Sequence, residues 1–242
     1  MTDALFYSGL GIAFVFVINY LVYRFQWEKV KYFTKPLVMI SIIVWTVVAL
    51  EKPLEPGAIL LLCAQGFGFL GDVSLLFPKK GFTFGLAAFL VGHLFYIALV
   101  IMLILGTSPV VGARWYQILF IALGPVAWIL GMVVFYRVFS PALKARGTSQ
   151  IFQNALRGYA FVLSGLMAIS ITLLRLMPGF DLAWFYVAIG GTLFFIADFL
   201  LAYDRFVSKN ARVHLTSWVC YHTAQICLAW GLVGMIRQVL GN

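Results

Sequence analysis

The chain has 242 residues, of which 63% are hydrophobic and only 10% are charged. Water-soluble domains carry about 25% charged residues, so this composition excludes a soluble protein and predicts an integral membrane protein. The formal net charge of +9 would also suit a nucleic-acid partner, so the distribution of the basic residues along the chain matters.

Eight stretches are long and apolar enough to cross a bilayer, which takes about 20 residues of helix. They lack the period-two alternation of barrel strands, so the predicted fold is an all-α bundle of transmembrane helices. In chain order the predicted spans are 4–24, 34–50, 57–77, 81–105, 115–139, 155–176, 182–203 and 213–237. The longest predicted connection, 140–154, is too short for a separate module. We therefore expect a single polytopic transmembrane domain over residues 1–242.

The lysines and arginines are unevenly distributed along the chain. Of the 17, 13 lie in or beside the first, third, fifth and seventh loops. An excess of basic residues marks the cytoplasmic side, so these odd-numbered loops are predicted to be cytoplasmic and both termini to face outward. The charge is therefore a topology signal. It predicts membrane lipids as partners, no nucleic acid, and residence in a bacterial inner membrane.

Two aspartates lie within the apolar spans, Asp72 near the end of span 3 and Asp198 near the end of span 7. A carboxylate at membrane depth costs a few kcal/mol even on lenient insertion scales, so it marks a functional site by default. Each is followed seven residues later by a cation, Lys79 or Arg205. Seven residues of helix measure about 10 Å, which predicts that both carboxyls lie at the same depth.

The residues around the two aspartates form a repeating pattern. Spans 2 and 6 begin near a cation, Lys35 or Arg157, and spans 4 and 8 each carry a histidine, His93 or His222. The cation precedes the aspartate by 37 and 41 residues, and the histidine follows it by 21 and 24. This pattern favours a four-plus-four parallel internal repeat, in which the two carboxyls converge across an axis normal to the membrane.

Span 8 also carries a polar stripe, formed by His214, Ser217, Tyr221, His222 and Gln225. Such a stripe predicts that one face of the span lines the protein interior or a wet cavity. We expect this cavity to open toward the cytoplasm. The predicted substrate-binding residues are Lys35, His93, Tyr96, Arg157, Tyr221, His222 and Gln225. The same residues also fit packing roles, as ion-pair partners, interior hydrogen-bonding groups or headgroup anchors. The three cysteines have no metal-ligand spacing, so no metal site is predicted.

The motifs and their order resemble the YhhN-like lysoplasmalogenase family over nearly the whole chain. The motifs are KP opening span 2, GD in span 3, GHLFY in span 4, AD followed by LLA in span 7, and YHTAQ in span 8. The resemblance implies hydrolysis of the vinyl ether bond of lysoplasmalogens, with Asp72 and Asp198 as catalytic residues and no metal or organic cofactor. The family more often has serine at Ala197 and tyrosine at His222.

The implied chemistry fits two carboxyl groups. A vinyl ether breaks when its outer alkene carbon is protonated, and glycosidases handle the same kind of oxocarbenium ion with one acid and one carboxylate. We expect the more buried aspartate to be the acid and the other to be the base. The alternative is a proton-coupled secondary transporter, since paired intramembrane carboxyls and repeats also serve carriers. A structural protein or receptor is a third hypothesis. Nothing in the sequence specifies the headgroup, chain length or oligomeric state.

Overall fold

The computed structural model describes residues 3–50, 52–77, 81–107, 115–177 and 181–240. These residues contain no strand. They form eight helices that are long and apolar enough to cross a membrane. The prediction of an all-α integral membrane protein is confirmed. The helices are α1 Asp3–Arg24, α2 Glu28–Ala49, α3 Pro56–Ser74, α4 Gly81–Gly106, α5 Trp115–Ala145, α6 Gln150–Leu173, α7 Leu182–Phe206 and α8 Ala211–Met235.

Several helices extend beyond their predicted spans. α2 begins at Glu28 rather than near residue 34, so Pro36 lies inside the helix instead of opening it. α5 continues to Ala145 and α6 begins at Gln150, which shortens the predicted connection 140–154 to four residues. Hydrophobicity locates only the part of a helix that suits lipid. The flanking polar residues, many of them good helix formers, continue the helix beyond it.

Contacts divide the chain into two compact units. The first consists of Met1–Gly106 and Ala229–Asn242, and the second of Thr107–Leu228. The first unit therefore holds α1 to α4 with the end of α8, and the second holds α5 to α7 with most of α8. The four-plus-four repeat and the single domain both stay predictions.

In the first unit, glycines bring the backbones of α3 and α4 together. A Cβ on Gly92 would lie 3.1 Å from the carbonyl oxygen of Ala64, and one on Gly85 would lie 3.3 Å from that of Gly71. Small residues allow such close approach between membrane helices. In a bilayer these helices associate through van der Waals packing and not through the hydrophobic effect. This packing holds α3, the helix of Asp72, in a defined register against α4.

In the second unit, Gly190 has the same role between α7 and α8. A Cβ there would lie 3.0 Å from the backbone nitrogen of Leu228 and 3.1 Å from the carbonyl oxygen of Ala224. Neither backbone atom can move as a flexible side chain can. The close contact therefore holds α7, the helix of Asp198, against α8.

We expect Gly190→Ala to destabilise the protein by about 1–3 kcal/mol, because the added methyl overpacks this contact. Gly66→Ala is the matched control: a Cβ on Gly66 meets no atom within 4 Å, and alanine is favoured over glycine in a helix by about 0.5–1 kcal/mol. Thermal unfolding of the purified variants in detergent measures both effects. Equal unfolding temperatures for the two variants would contradict the close packing of α7 on α8.

Candidate functional site

Asp72 forms a buried ion pair. It lies two residues before the end of α3 and is 1% exposed. Lys35 of α2, itself 6% exposed, places its Nζ 3.0 Å from Asp72 Oδ1 and 3.4 Å from the Asp72 carbonyl oxygen. Because both charges have left solvent, removing either one would leave the other buried and uncompensated. Lys35, predicted to bind substrate, is therefore also the partner of a predicted catalytic residue.

A second polar contact joins the same two helices further along. Gln65 Nε2 of α3 donates to Thr46 Oγ1 of α2 at 2.9 Å, and both side chains are fully buried. Gln65 precedes Asp72 by seven residues, which is about 10 Å along the helix. The α2–α3 interface thus fixes the rotation of α3 at two depths, and that rotation directs Asp72 toward Lys35.

Asp198 has a different kind of partner. It lies in α7 and is 5% exposed. The hydroxyl of Tyr159, from α6, donates a hydrogen bond to Asp198 Oδ2, and the tyrosine is buried too. A phenol orients the carboxyl without adding a positive charge. The two predicted catalytic residues therefore differ in their contacts: an ammonium pairs with one, and a neutral hydroxyl donates to the other.

Sequence reasoning missed Tyr159. It singled out Arg157, two residues earlier, as a substrate-binding cation. The Arg157 side chain instead contacts Asn154 Oδ1 at 3.2 Å, and its guanidinium carbon lies 5.4 Å from the ring centre of Tyr136. One signal for Tyr159 was present in the spacing. It precedes Asp198 by 39 residues, closer than Arg157 to the 37 residues that separate Lys35 from Asp72.

The polar stripe of α8 lies against α7 beside Asp198. Ser217 Oγ donates to the carbonyl oxygen of Ala197 at 2.8 Å. One turn further along, the ring of Tyr221 packs edge-on against Phe194, with 5.4 Å between ring centres. Gln225 Nε2 lies 3.3 Å from the Tyr221 hydroxyl oxygen. The structure therefore brings Tyr221, a predicted substrate-binding residue, against the helix that carries Asp198, with Gln225, another, beside it in α8.

His222 is fully buried in the same unit. Its Nδ1 lies 3.0 Å from the carbonyl oxygen of Trp218 in its own helix, and its ring contacts those of Trp218 and Tyr221. These contacts fix the ring next to Tyr221. His222 is therefore an interior group with a fixed position, and its role in binding substrate stays a prediction.

The structure does not bring His93 and Tyr96 to the level of Asp72. Both are 1% exposed in α4. The close contacts of Gly85 with Gly71 and of Gly92 with Ala64 set the α3–α4 register. In that register His93 lies about nine residues beyond the level of Asp72, or about 13 Å along the helix. These two side chains are deep interior groups of the first unit.

Of the two cations that follow the aspartates by seven residues, the structure describes only Arg205. Arg205 is exposed near the end of α7. Lys79 lies outside the described residues. The two carboxyl sites therefore differ in their buried partners, Lys35 at Asp72 and Tyr159 at Asp198.

Comparison with known proteins agrees with these motifs. A model of the YhhN family matches residues 30–232, which include both aspartates and their partners. No curated protein and no solved structure matches the chain. A match over most of the chain establishes membership, and the resemblance seen in the motifs is confirmed. The protein belongs to the YhhN family.

Proposed function

We propose that this protein is a lysoplasmalogenase-type hydrolase that cleaves the vinyl ether bond of lysoplasmalogens within the membrane. The YhhN family is associated with hydrolase activity, which supports the general class. The observation that carries the proposal is the pair of buried aspartates with partners of different charge, the Lys35 ammonium at Asp72 and the Tyr159 hydroxyl at Asp198. The products are a fatty aldehyde and a glycerophospho-base.

The reaction needs a proton donor first and a carboxylate second. Proton transfer to the outer alkene carbon forms a carbon–hydrogen bond and leaves an oxocarbenium ion at the inner carbon. Water adds to that carbon and loses a proton, which gives a hemiacetal. The bond from the hemiacetal carbon to the glycerol oxygen then breaks. The glycerol oxygen takes up a proton, and the hemiacetal hydroxyl loses one to become the aldehyde carbonyl. Consumption of one water balances the reaction, and the carboxyls act as acid, stabiliser and base.

In this proposal Asp198 is the acid. A proton donor must be a neutral carboxylic acid, and a phenol is compatible with one because it donates to the carbonyl oxygen without adding charge. By burial alone the expectation would name Asp72 as the acid, since Asp72 is 1% exposed and Asp198 is 5% exposed. We depart from that expectation because the difference is small and Asp72 is paired with an ammonium. The nature of the partner distinguishes them.

Asp72 is then the stabilising carboxylate and base. Its ion pair with Lys35 provides a negative charge that is present before the reaction begins. A fixed charge in a water-poor site needs no reorganisation as the oxocarbenium ion forms, which is the condition under which electrostatic stabilisation is most effective. Further contacts to the lysophospholipid are proposed for Tyr221, Gln225 and His222, and to its headgroup for Arg157.

Two matched lipids test the proposal. Purified protein in detergent is given a vinyl-ether lysolipid and, separately, its saturated alkyl-ether analogue. We expect aldehyde from the first and none from the second, because only the vinyl ether has an alkene carbon to protonate. Absence of aldehyde from folded protein would contradict the proposal. Substrate-dependent proton uptake into liposomes would then support the alternative, a proton-coupled transporter.

A further inference from the structure

Asn19 is a buried amide that the sequence analysis did not single out. It lies on α1 with an exposed fraction of 0%. Neither its Nδ2 nor its Oδ1 has a hydrogen-bond partner in the part of the chain that the structure describes. Buried polar groups are nearly always paired, because an unpaired one keeps its full desolvation cost. An amide held in this way points to a partner from outside the chain.

The register of α1 against α2 places Asn19 level with Lys35. The two helices form an antiparallel hairpin in which a Cβ on Gly9 would lie 3.8 Å from the indole of Trp45. Nearer the turn, the Lys31 ammonium lies 4.5 Å from the ring centre of Tyr23. In both contacts the two residue numbers add to 54, and in an antiparallel hairpin residues with the same total lie at the same level. The numbers of Asn19 and Lys35 also add to 54. The two residues therefore lie at the same level, to within about one helical turn.

Lys35 contributes a second unused group at this level. A lysine ammonium has three N–H donors. Two face Asp72, at its Oδ1 and its carbonyl oxygen, and the third has no partner among the described residues. At this level of the first unit the chain therefore offers a spare N–H from Lys35 together with the donor and the acceptor of the Asn19 amide. This set suits a ligand that carries hydroxyl and ester oxygens on neighbouring carbons.

We infer that Asn19 recognises the free sn-2 hydroxyl of the lysolipid. This inference rests on the proposed function. In a lysolipid that hydroxyl lies three bonds from the vinyl ether oxygen, so a group that binds it must lie close to a carboxyl that acts on the ether. Asn19 Oδ1 accepts from the hydroxyl, and Nδ2 donates to the phosphoester oxygen on the next carbon. A lipid acylated at sn-2 lacks the donor and would leave Oδ1 unpaired.

Discrimination between two substrates tests this role. The substrates are a vinyl-ether lysolipid and its sn-2 deoxy analogue, in which hydrogen replaces the hydroxyl. We expect wild type to favour the hydroxylated lipid by about 10–100-fold in kcat/KM. Asn19→Leu, which has a similar volume and no polar atoms, should reduce this preference to less than about threefold. The control, Ser170→Ala, removes the polar group of another buried side chain that has no described partner, the Ser170 hydroxyl, and should retain the wild-type preference.

A binding measurement makes the test independent of turnover. The saturated alkyl-ether lysolipid and its sn-2 deoxy form should raise the unfolding temperature of wild type unequally, and that of Asn19→Leu equally. If neither vinyl ether is cleaved, the proposed function fails while this measurement still decides the role of Asn19. An Asn19→Leu variant that keeps the wild-type preference in either assay would overturn the inference. An Asn19→Leu variant that loses activity equally toward both vinyl ethers would also overturn it. That result would indicate that Asn19 binds a water molecule and not the substrate hydroxyl.

Discussion

Asp198→Asn is expected to lower kcat/KM toward a vinyl-ether lysolipid by at least about 100-fold, because the amide cannot deliver the proton that starts the reaction. The side chain keeps its shape, and Asn Oδ1 can still accept from the Tyr159 hydroxyl, so the fold should persist. Tyr159→Phe removes only the group that orients the carboxyl. It should therefore lower kcat less than Asp198→Asn and leave KM nearly unchanged.

Asp181→Asn is the matched control for this pair of variants. Asp181 is the N-cap of the same helix, where its Oδ1 accepts from the backbone nitrogen of Ala183 at 2.8 Å. Asparagine caps helices about as well as aspartate does, so neither stability nor activity should change much. Steady-state aldehyde release and thermal unfolding, measured on all three variants, separate chemistry from folding. Wild-type kcat in Asp198→Asn would exclude Asp198 as the acid.

Lys35→Met should have the largest effect on stability. Methionine fills the space of the lysine stem but leaves Asp72 buried without its counter-charge, which costs about 3–5 kcal/mol. The double variant Lys35→Met/Asp72→Asn removes both charges and should recover most of that stability, since neutral replacement of a buried pair is often harmless. It should nevertheless stay inactive, because the carboxylate proposed to stabilise the oxocarbenium ion is gone.

An exposed pair provides the comparison for Lys35. Lys52 Nζ lies 3.2 Å from Glu55 Oε1, but the lysine side chain is 69% exposed. Lys52→Met should therefore change the free energy of unfolding by less than about 1 kcal/mol. Chemical denaturation in detergent measures the free energy of unfolding of wild type, the two single variants and the double variant. Similar unfolding free energies for Lys35→Met and Lys52→Met would contradict a buried ion pair at Asp72, and full activity in the double variant would contradict a catalytic Asp72.

The spans and the positions of both aspartates were predictable, because each depends on a local property of the sequence. A stretch of about 20 apolar residues identifies a membrane helix, and a carboxyl within it is conspicuous whatever surrounds it. The family also followed from local motifs and their order. Helix ends were less accurate, as at Glu28 and Ala145, because polar residues continue a helix beyond the apolar segment that identifies it.

The partners of the aspartates were not predictable in the same way. A partner depends on which face a neighbouring helix presents, and a shift of two residues turns a side chain by about 200° around a helix. That shift separates Arg157 from Tyr159. The depth of His93 likewise follows from the α3–α4 register, which is set by close contacts between glycines and backbone oxygens. Asn19 lies outside the region matched to the family and became visible only through its burial.

The most direct test of the proposed reaction is the fate of two isotopes during cleavage of a vinyl-ether lysolipid by purified wild type. In D₂O, with the aldehyde reduced at once to the alcohol, one deuterium should appear on the carbon next to the former carbonyl. In H₂¹⁸O, the glycerophospho-base should carry no label, because its own oxygen stays with the glycerol. Failure to release aldehyde, aldehyde without deuterium, or ¹⁸O in the glycerol product would each contradict hydrolysis through protonation of the alkene.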